Sequence, residues 1–566
     1  MVRDVMRRRF YCGWALGVVL SVAALPVASL IAAGPDLRLV EAVEARKTAA
    51  ISALLKQRVD VTIAQPDGAT ALHWAAHWDD LATADLLIRA GARVDVANAF
   101  GVTPLSLAAT SGSAAMIERL LAAGANPNAA LPTGETPLMT AAKTGKVEAV
   151  RALLGGGAAA DGKEPAYGQT ALMWAAAEGH VAAAQALVEA GADMHARSRN
   201  GFTPLLFAVR DGQLDAVRAL VAAGAHVQDS VRSDLVSQND RMDMGPDGSS
   251  AVALAIINAH YEIGVWLLDH GADANVRDPR GSLLHTLAWM RRPGKNAAPR
   301  LHRPEPAGSL DSLDLAKALL AHGADPNVRI AWEERKARAG NAISFAYARS
   351  PGNMEVGISF MSFVGATPFY LAARSGDVAL MRLLVASGAN PLTPTVKGVT
   401  PLMVAAGVGY YNGQSPGPEW GGIPDSEVLE ALTLAWELGN DVNAVTSDEA
   451  IRADAGDPAY ALDHPTGQFD LRWGRSTALH GAILRESPWF IRFLVEKGAR
   501  LDAKNQLGWT PLSVAMGLYT GGTFRRYPET AELLRQLMKQ RGLDPATSII
   551  CTICGEAGTA VAASGK

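Results

Sequence analysis

A five-residue phrase, Gly-x-Thr-Pro/Ala-Leu, returns along this chain at a fixed interval, and that interval leaves few folds open. It stands at Gly68–Leu72, Gly101–Leu105, Gly134–Leu138, Gly168–Leu172 and Gly201–Leu205, with successive glycines 33, 33, 34 and 33 residues apart. It comes back at Gly365–Phe369, Gly398–Leu402 and Gly508–Leu512, and degraded copies begin near Gly248, Gly281 and Gly474. About twenty residues into each copy comes a second phrase, as in Leu120–Ala125, Leu187–Ala192, Leu267–Ala272, Leu319–Ala324 and Leu494–Ala499. Self-similarity at such a period marks stacked units that cannot bury their apolar faces alone.

The residues within one period read as two helices. Thr caps the first, and Pro at the first helical position forfeits nothing by lacking an N–H. The Leu-x-x-Ala-Ala that follows puts small residues on one face, so the next layer can approach closely. The second helix, as in Ala149–Leu154, ends in paired leucines, and the glycine after it takes the left-handed conformation that stops a helix. Composition agrees: 49% of residues are hydrophobic but only 6% aromatic, so much of the apolar content is alanine suited to thin layers.

Together these phrases resemble the ankyrin repeat over roughly residues 35–540. The resemblance implies an all-α ankyrin-repeat solenoid of about 12 helix–turn–helix repeats with short β-turn or hairpin links. Helices packed 8–10 Å apart would set such layers along an arc of roughly 100 Å. The chain divides accordingly. Residues 1–33 form an address, 34–66 an N-terminal capping repeat, and 67–228 regular repeats. Residues 229–473 are repeats with long insertions, 474–543 the last repeats with their cap, and 544–566 a flexible tail. Insertions between units fall at about 229–247, 329–364 and 445–473; those within units fall at about 291–310, 410–425 and 518–527. Ala342–Tyr347 and Val356–Met361 flank Arg349–Asn353 in a hairpin pattern.

The address begins with Arg3, Arg7, Arg8 and Arg9, runs uncharged from Phe10 to Gly34, and holds small residues at Val27–Ser29 and Ile31–Ala33. These are the parts of a secretory signal. Arg7–Phe10 also resembles the core of a twin-arginine signal, and an uncleaved anchor is the alternative, since the run is long enough to span a bilayer. Either way the bulk is expected outside the cytoplasm, periplasmic or extracellular.

Composition excludes several functions. Lys+Arg 52 against Asp+Glu 56 gives a net charge of −4, which argues against a basic nucleic-acid binder. Three cysteines exclude a disulfide-dense scaffold. Gly413–Gly417 matches the G-x-S-x-G elbow of serine hydrolases, but Pro416 follows Ser415 and has no N–H to donate to an oxyanion. Cys551 and Cys554 form a C-x-x-C pair, which reads as a local disulfide in an oxidising compartment. Gly555 stands where haem attachment needs His, and no second pair completes a zinc site. No cofactor and no metal are expected. His73 and Trp74, with His77 and Trp78, are the most polar-aromatic group of the early repeats; Trp74, Trp174 and Phe207 share one position, expected in the core.

The resemblance also implies the function: a non-catalytic monomer binding a protein or peptide through turn tips and the exposed face of the first helix. The matching positions are His77, Trp78, Phe100, Val102, Tyr167, Gln169, Glu178, Arg199, Asn200, Phe202, Arg210 and Asp211. In the later half they are Arg280, Arg374, Lys397, Val399 and Trp509. The insertion-bearing residues 281–473 are the expected contact region. The competing expectation is an enzyme or accessory module with its site among those insertions.

Overall fold

The computed structural model describes residues 35–232, 248–278, 281–291, 306, 308–331, 363–409, 424–447, 474–506, 508–516 and 526–548. Residues 1–33, the hairpin pattern, the Gly413–Gly417 phrase, Arg280, Cys551 and Cys554 lie outside them.

The chain forms helices in short pairs. α1 (Arg38–Glu44) and α2 (Thr48–Lys56) are followed by α3 (Ala71–His77) with α4 (Leu81–Arg89) and α5 (Pro104–Ser111) with α6 (Ala114–Ala122). Next come α7 (Pro137–Lys143) with α8 (Val147–Gly155), α9 (Ala171–Ala177) with α10 (Val181–Glu189), and α11 (Pro204–Arg210) with α12 (Leu214–Ala222). α13 (Ala251–Ile257) pairs with α14 (Tyr261–Asp269), α15 (Leu283–Arg291) with α16 (Ser312–Ala321), and α17 (Pro368–Arg374) with α18 (Val378–Ala386). The array ends in α19 (Pro401–Ala406) with α20 (Asp425–Glu437), α21 (Ala478–Leu484) with α22 (Pro488–Glu496), and α23 (Pro511–Ala515) with α24 (Pro528–Gln540). These are 24 α-helices among the described residues. A two-residue ladder, β1 (Arg277–Asp278) with β2 (Gly281–Ser282), is their sole paired strand segment.

Each odd-numbered helix packs on the next odd-numbered one, and the even-numbered helices form a second row. Hence, among the described residues, one core cluster runs from Leu39 to Met538. The local chemistry is the one the repeat phrase requires. Thr103 is extended and its hydroxyl accepts the Ser106 N–H at 3.1 Å, with Pro104 opening α5. Ala108 and Ala109 are fully buried, as are Leu105 and Leu120. Gly124 closes the α6 turn at φ 94°, a conformation that costs other residues roughly 1–2 kcal/mol.

Side chains also tie layer to layer. Asn128 accepts the Ala159 N–H at 2.8 Å, Asn275 accepts that of Asp325 at 2.9 Å, and Asn327 accepts that of Asn390 at 2.7 Å. His180 and His260 reach back to the Lys143 and Arg210 carbonyls, each at 3.0 Å. The 291–310 insertion is anchored at both ends. Arg291 binds Asp377 through Nε at 2.5 Å and Nη2 at 3.1 Å, and Ser309 donates to Glu262 at 2.7 Å from its N–H. That amide holds the Glu262 carboxyl below its usual pKa.

One position shows how close the layers come. Gly481 stands where Trp74, Leu107 and Thr140 stand in earlier helices, and a Cβ there would meet Val408 N at 2.4 Å and Gly407 C at 2.8 Å. Alanine adds roughly 1 kcal/mol of helix propensity, but the obstacle is backbone and cannot rotate away. Gly481→Ala is therefore expected to destabilise by about 1–3 kcal/mol in urea titration. A more stable variant would show that α19 and α21 are not in this contact.

Candidate partner-binding surface

The Gly-x-Thr phrase folds as a tight turn, and its backbone decides which side chains face out. Asn98 donates its N–H to the Val102 carbonyl at 2.9 Å and accepts the Phe100 and Val102 N–H groups through its side chain, each at 3.0 Å. The residue before the glycine is left at the tip: Phe100 is 69% exposed and Tyr167 58%. Buried Glu164 shapes the Tyr167 turn by accepting the N–H groups of Ala166, Tyr167 and Gln169 at 2.6, 2.8 and 3.0 Å. Neighbouring tips are hydrogen-bonded: Arg199 donates its N–H to the Tyr167 carbonyl at 2.7 Å, and Ser447 donates to that of Lys397 at 2.9 Å. Arg199 is exposed, while Asn200, Lys397, Gln169 and Val102 are half-buried.

The residue after the glycine can face inward, and this corrects three expected contact residues. Phe202 and Val399 are fully buried and Trp509 is 3% exposed. Phe202 packs against Phe207 with ring centroids 5.4 Å apart, and its N–H and carbonyl are both held by Ser198. Trp509 is held the same way by Asn505, whose side chain accepts its N–H at 2.9 Å. A bulky apolar residue at this site fills the gap between layers rather than meeting a partner.

Near the C-terminal ends of the first helices the side chains are mixed. Trp74, His77 and Trp78 cluster, the two indoles 6.3 Å apart and nearly parallel. Both indole N–H groups are engaged: Trp74 donates to Gln65 at 2.9 Å and Trp78 to the Glu44 carbonyl at 3.2 Å, while Gln65 donates to Glu44 at 2.7 Å. Arg46 lies 5.7 Å over Trp78. This group therefore staples the first helix pair to the second, with His77 and part of Trp78 still exposed. Half-buried Arg210 covers Phe207 at 4.7 Å and pairs with Asp211 at 2.7 Å. Half-buried Arg374 lies 5.3 Å over Phe363. Glu178 is exposed.

One row was missed as a surface. Trp74, Leu107, Thr140 and Trp174 occupy the fourth position of α3, α5, α7 and α9 and are half-buried, whereas Phe207, Leu254, Leu371 and Val404 at the equivalent position are buried. The expectation that Trp74 and Trp174 are core thus holds only in part. Lys143 sits 4.4 Å over the Trp174 ring. The equal spacing of these residues from the capping Thr was the signal in the sequence; the side-chain packing that leaves them open was not.

His73 is structural, as its position implied. Its Nδ1 accepts the Thr70 N–H at 3.1 Å, and its Nε2 donates to the Val102 carbonyl at 3.0 Å. Burial pushes its pKa down. Among the described residues no group of three or more His, Cys, Asp or Glu is placed to hold a metal ion, and no helix is long and apolar enough to cross a membrane.

Comparison with known proteins bears on the family. Models of ankyrin repeats in three copies match residues 39–131, 127–198 and 193–278, and a single-repeat model matches 364–395. No curated protein matches the chain. Among solved structures it is similar to the human ASB11 ankyrin repeat domain, with 28% identity, 38% of this chain and 90% of that chain covered, and a TM-score of 0.33. Over residues 39–278 and 364–395, this chain is built of ankyrin repeats.

Proposed function

We propose that this chain is a non-catalytic scaffold, a monomer that holds a protein or peptide outside the cytoplasm on the face carried by residues 67–228. Ankyrin repeats generally mediate protein–protein interaction. The observation that carries the placement is the half-buried row Trp74, Leu107, Thr140 and Trp174, one residue per layer, beside the exposed tips Phe100 and Tyr167. Aromatic residues supply most binding energy at interfaces, and a preformed stack orders little on binding. His77, Trp78, Arg199, Asn200 and Arg210 border this face; Arg374 and Lys397 would serve a longer partner. The 24 helices, taken two to a unit, make twelve repeats. Residues 1–33 act as the export signal or anchor, and cell fractionation of the full chain tests that separately.

Photo-crosslinkers placed at residues 100 and 167 in the native cell are expected to capture one common partner. The double substitution Phe100→Ala with Tyr167→Ala removes only exposed rings. It is expected to leave Tm unchanged and to reduce capture by about tenfold or more. Capture unaffected by that pair, or no saturable partner at either site, would defeat the placement.

A further inference from the structure

Three histidines share one arrangement at the third position of a first helix. Thr70, Ser282 and Thr477 donate their N–H groups to Nδ1 of His73, His285 and His480 at 3.1, 3.1 and 3.2 Å. The same Nδ1 atoms lie 2.9, 2.8 and 2.9 Å from the capping hydroxyls. Each Nε2 sits 3.0 Å from a carbonyl of the following layer: Val102, Ala366 and Trp509. An amide N–H can only donate, so Nδ1 must accept, and the single ring proton must be on Nε2, facing the carbonyl. Each ring is thus a neutral clip that caps its own helix and holds the next layer. All three are buried, at 2, 0 and 2% exposure.

A second proton would have to sit on Nδ1, against the amide that now donates to it. We propose that His73, His285 and His480 make three joints of the array acid-labile, so that acid loosens the stack at those joints while the joints clipped by methionine hold. The contrast is within the chain. Met139, Met173 and Met403 fill the same position elsewhere, and their sulfurs stand 3.5 Å from the amides of Thr136, Thr170 and Thr400. Those clips cannot titrate.

The surroundings support the direction. Burial pushes the His480 pKa down to about 4, opposed only by the Trp509 carbonyl. For His73 the Asp67 carboxylate favours the charged form but is outweighed by burial. Helices packed on α3 carry Arg38, Glu41, Glu44, Asp85 and Arg89; those on α15 carry Asp314, Lys317 and Arg374; α22, on α21, carries Arg492 and Glu496. A histidine depressed in the folded state contributes stability that is complete above its unfolded pKa and is lost as pH falls toward the folded one. The window is therefore pH 6.5 down to about 4.

Hydrogen exchange on the full chain at pH 7 and pH 5, corrected for intrinsic amide rates, tests this. With the His480 values of 6.5 and about 4, opening at that joint is expected to rise about 20-fold. Amides of the layers following His73, His285 and His480 should lose protection, and those following Met139 and Met173 should not. His480→Met, with the side chain other units already use, should abolish the change at its own joint only. Uniform loss along the array in the unsubstituted chain, or an unchanged response in His480→Met, would overturn the proposal.

Discussion

Asp377→Ala is expected to destabilise the middle of the array by about 3 kcal/mol or more. The Asp377 side chain is 1% exposed and that of Arg291 is 12% exposed. The carboxylate accepts from Arg291 Nε at 2.5 Å and Nη2 at 3.1 Å, and it also caps α18 by accepting the Leu380 N–H at 3.2 Å. Arg291 in turn donates to Ser312 at 2.6 Å. One side chain therefore joins the end of α15, the start of α16 and the start of α18 across a long insertion. Removing it leaves a mostly buried guanidinium without its counter-charge and a helix without its cap. The cap alone accounts for about 1 kcal/mol, so Asp377→Asn should recover about that much and no more. Denaturant unfolding followed by hydrogen exchange should place the lost protection first around residues 283–321 and 368–386. A cost below about 1 kcal/mol for Asp377→Ala would show that Arg291 finds equal solvation elsewhere.

Leu138→Ala is expected to cost about 2–5 kcal/mol. Leu138 is 1% exposed in α7, which packs between α5 and α9. The cavity opens where α7 meets α5 and α9. Because each unit is supported only by its neighbours, the loss should also weaken coupling across the joint and broaden the unfolding transition. Leu86→Ala is the control: Leu86 is 41% exposed, and its removal should change stability by no more than about 0.5 kcal/mol. Equal costs for the two would mean that layer burial is not what holds the array.

The capping Thr, the opening Pro, the paired alanines and the closing Gly were readable because each acts within a few residues of itself. Helix capping, steric fit and left-handed turns are local, and their repetition at 33 residues reveals the stack. The inward placement of Phe202 and Trp509 was not readable in the same way. The residue after Gly is Val102, Glu135, Gln169 or Phe202 in successive units, and its side depends on how much space the next layer leaves.

The same holds for the candidate face. Trp74, Trp174 and Phe207 occupy one position, yet only the third is buried, because Arg210 and Phe202 close over it. The Arg291–Asp377 pair joins residues 86 apart and leaves no trace in a local pattern. The amino-acid sequence by itself determined the unit, its period and its stacking, since these follow from near-neighbour sterics and burial. Which side chains stay open to a partner and which ones bind distant layers was decided by tertiary structure, because those contacts depend on distances between separately folded units.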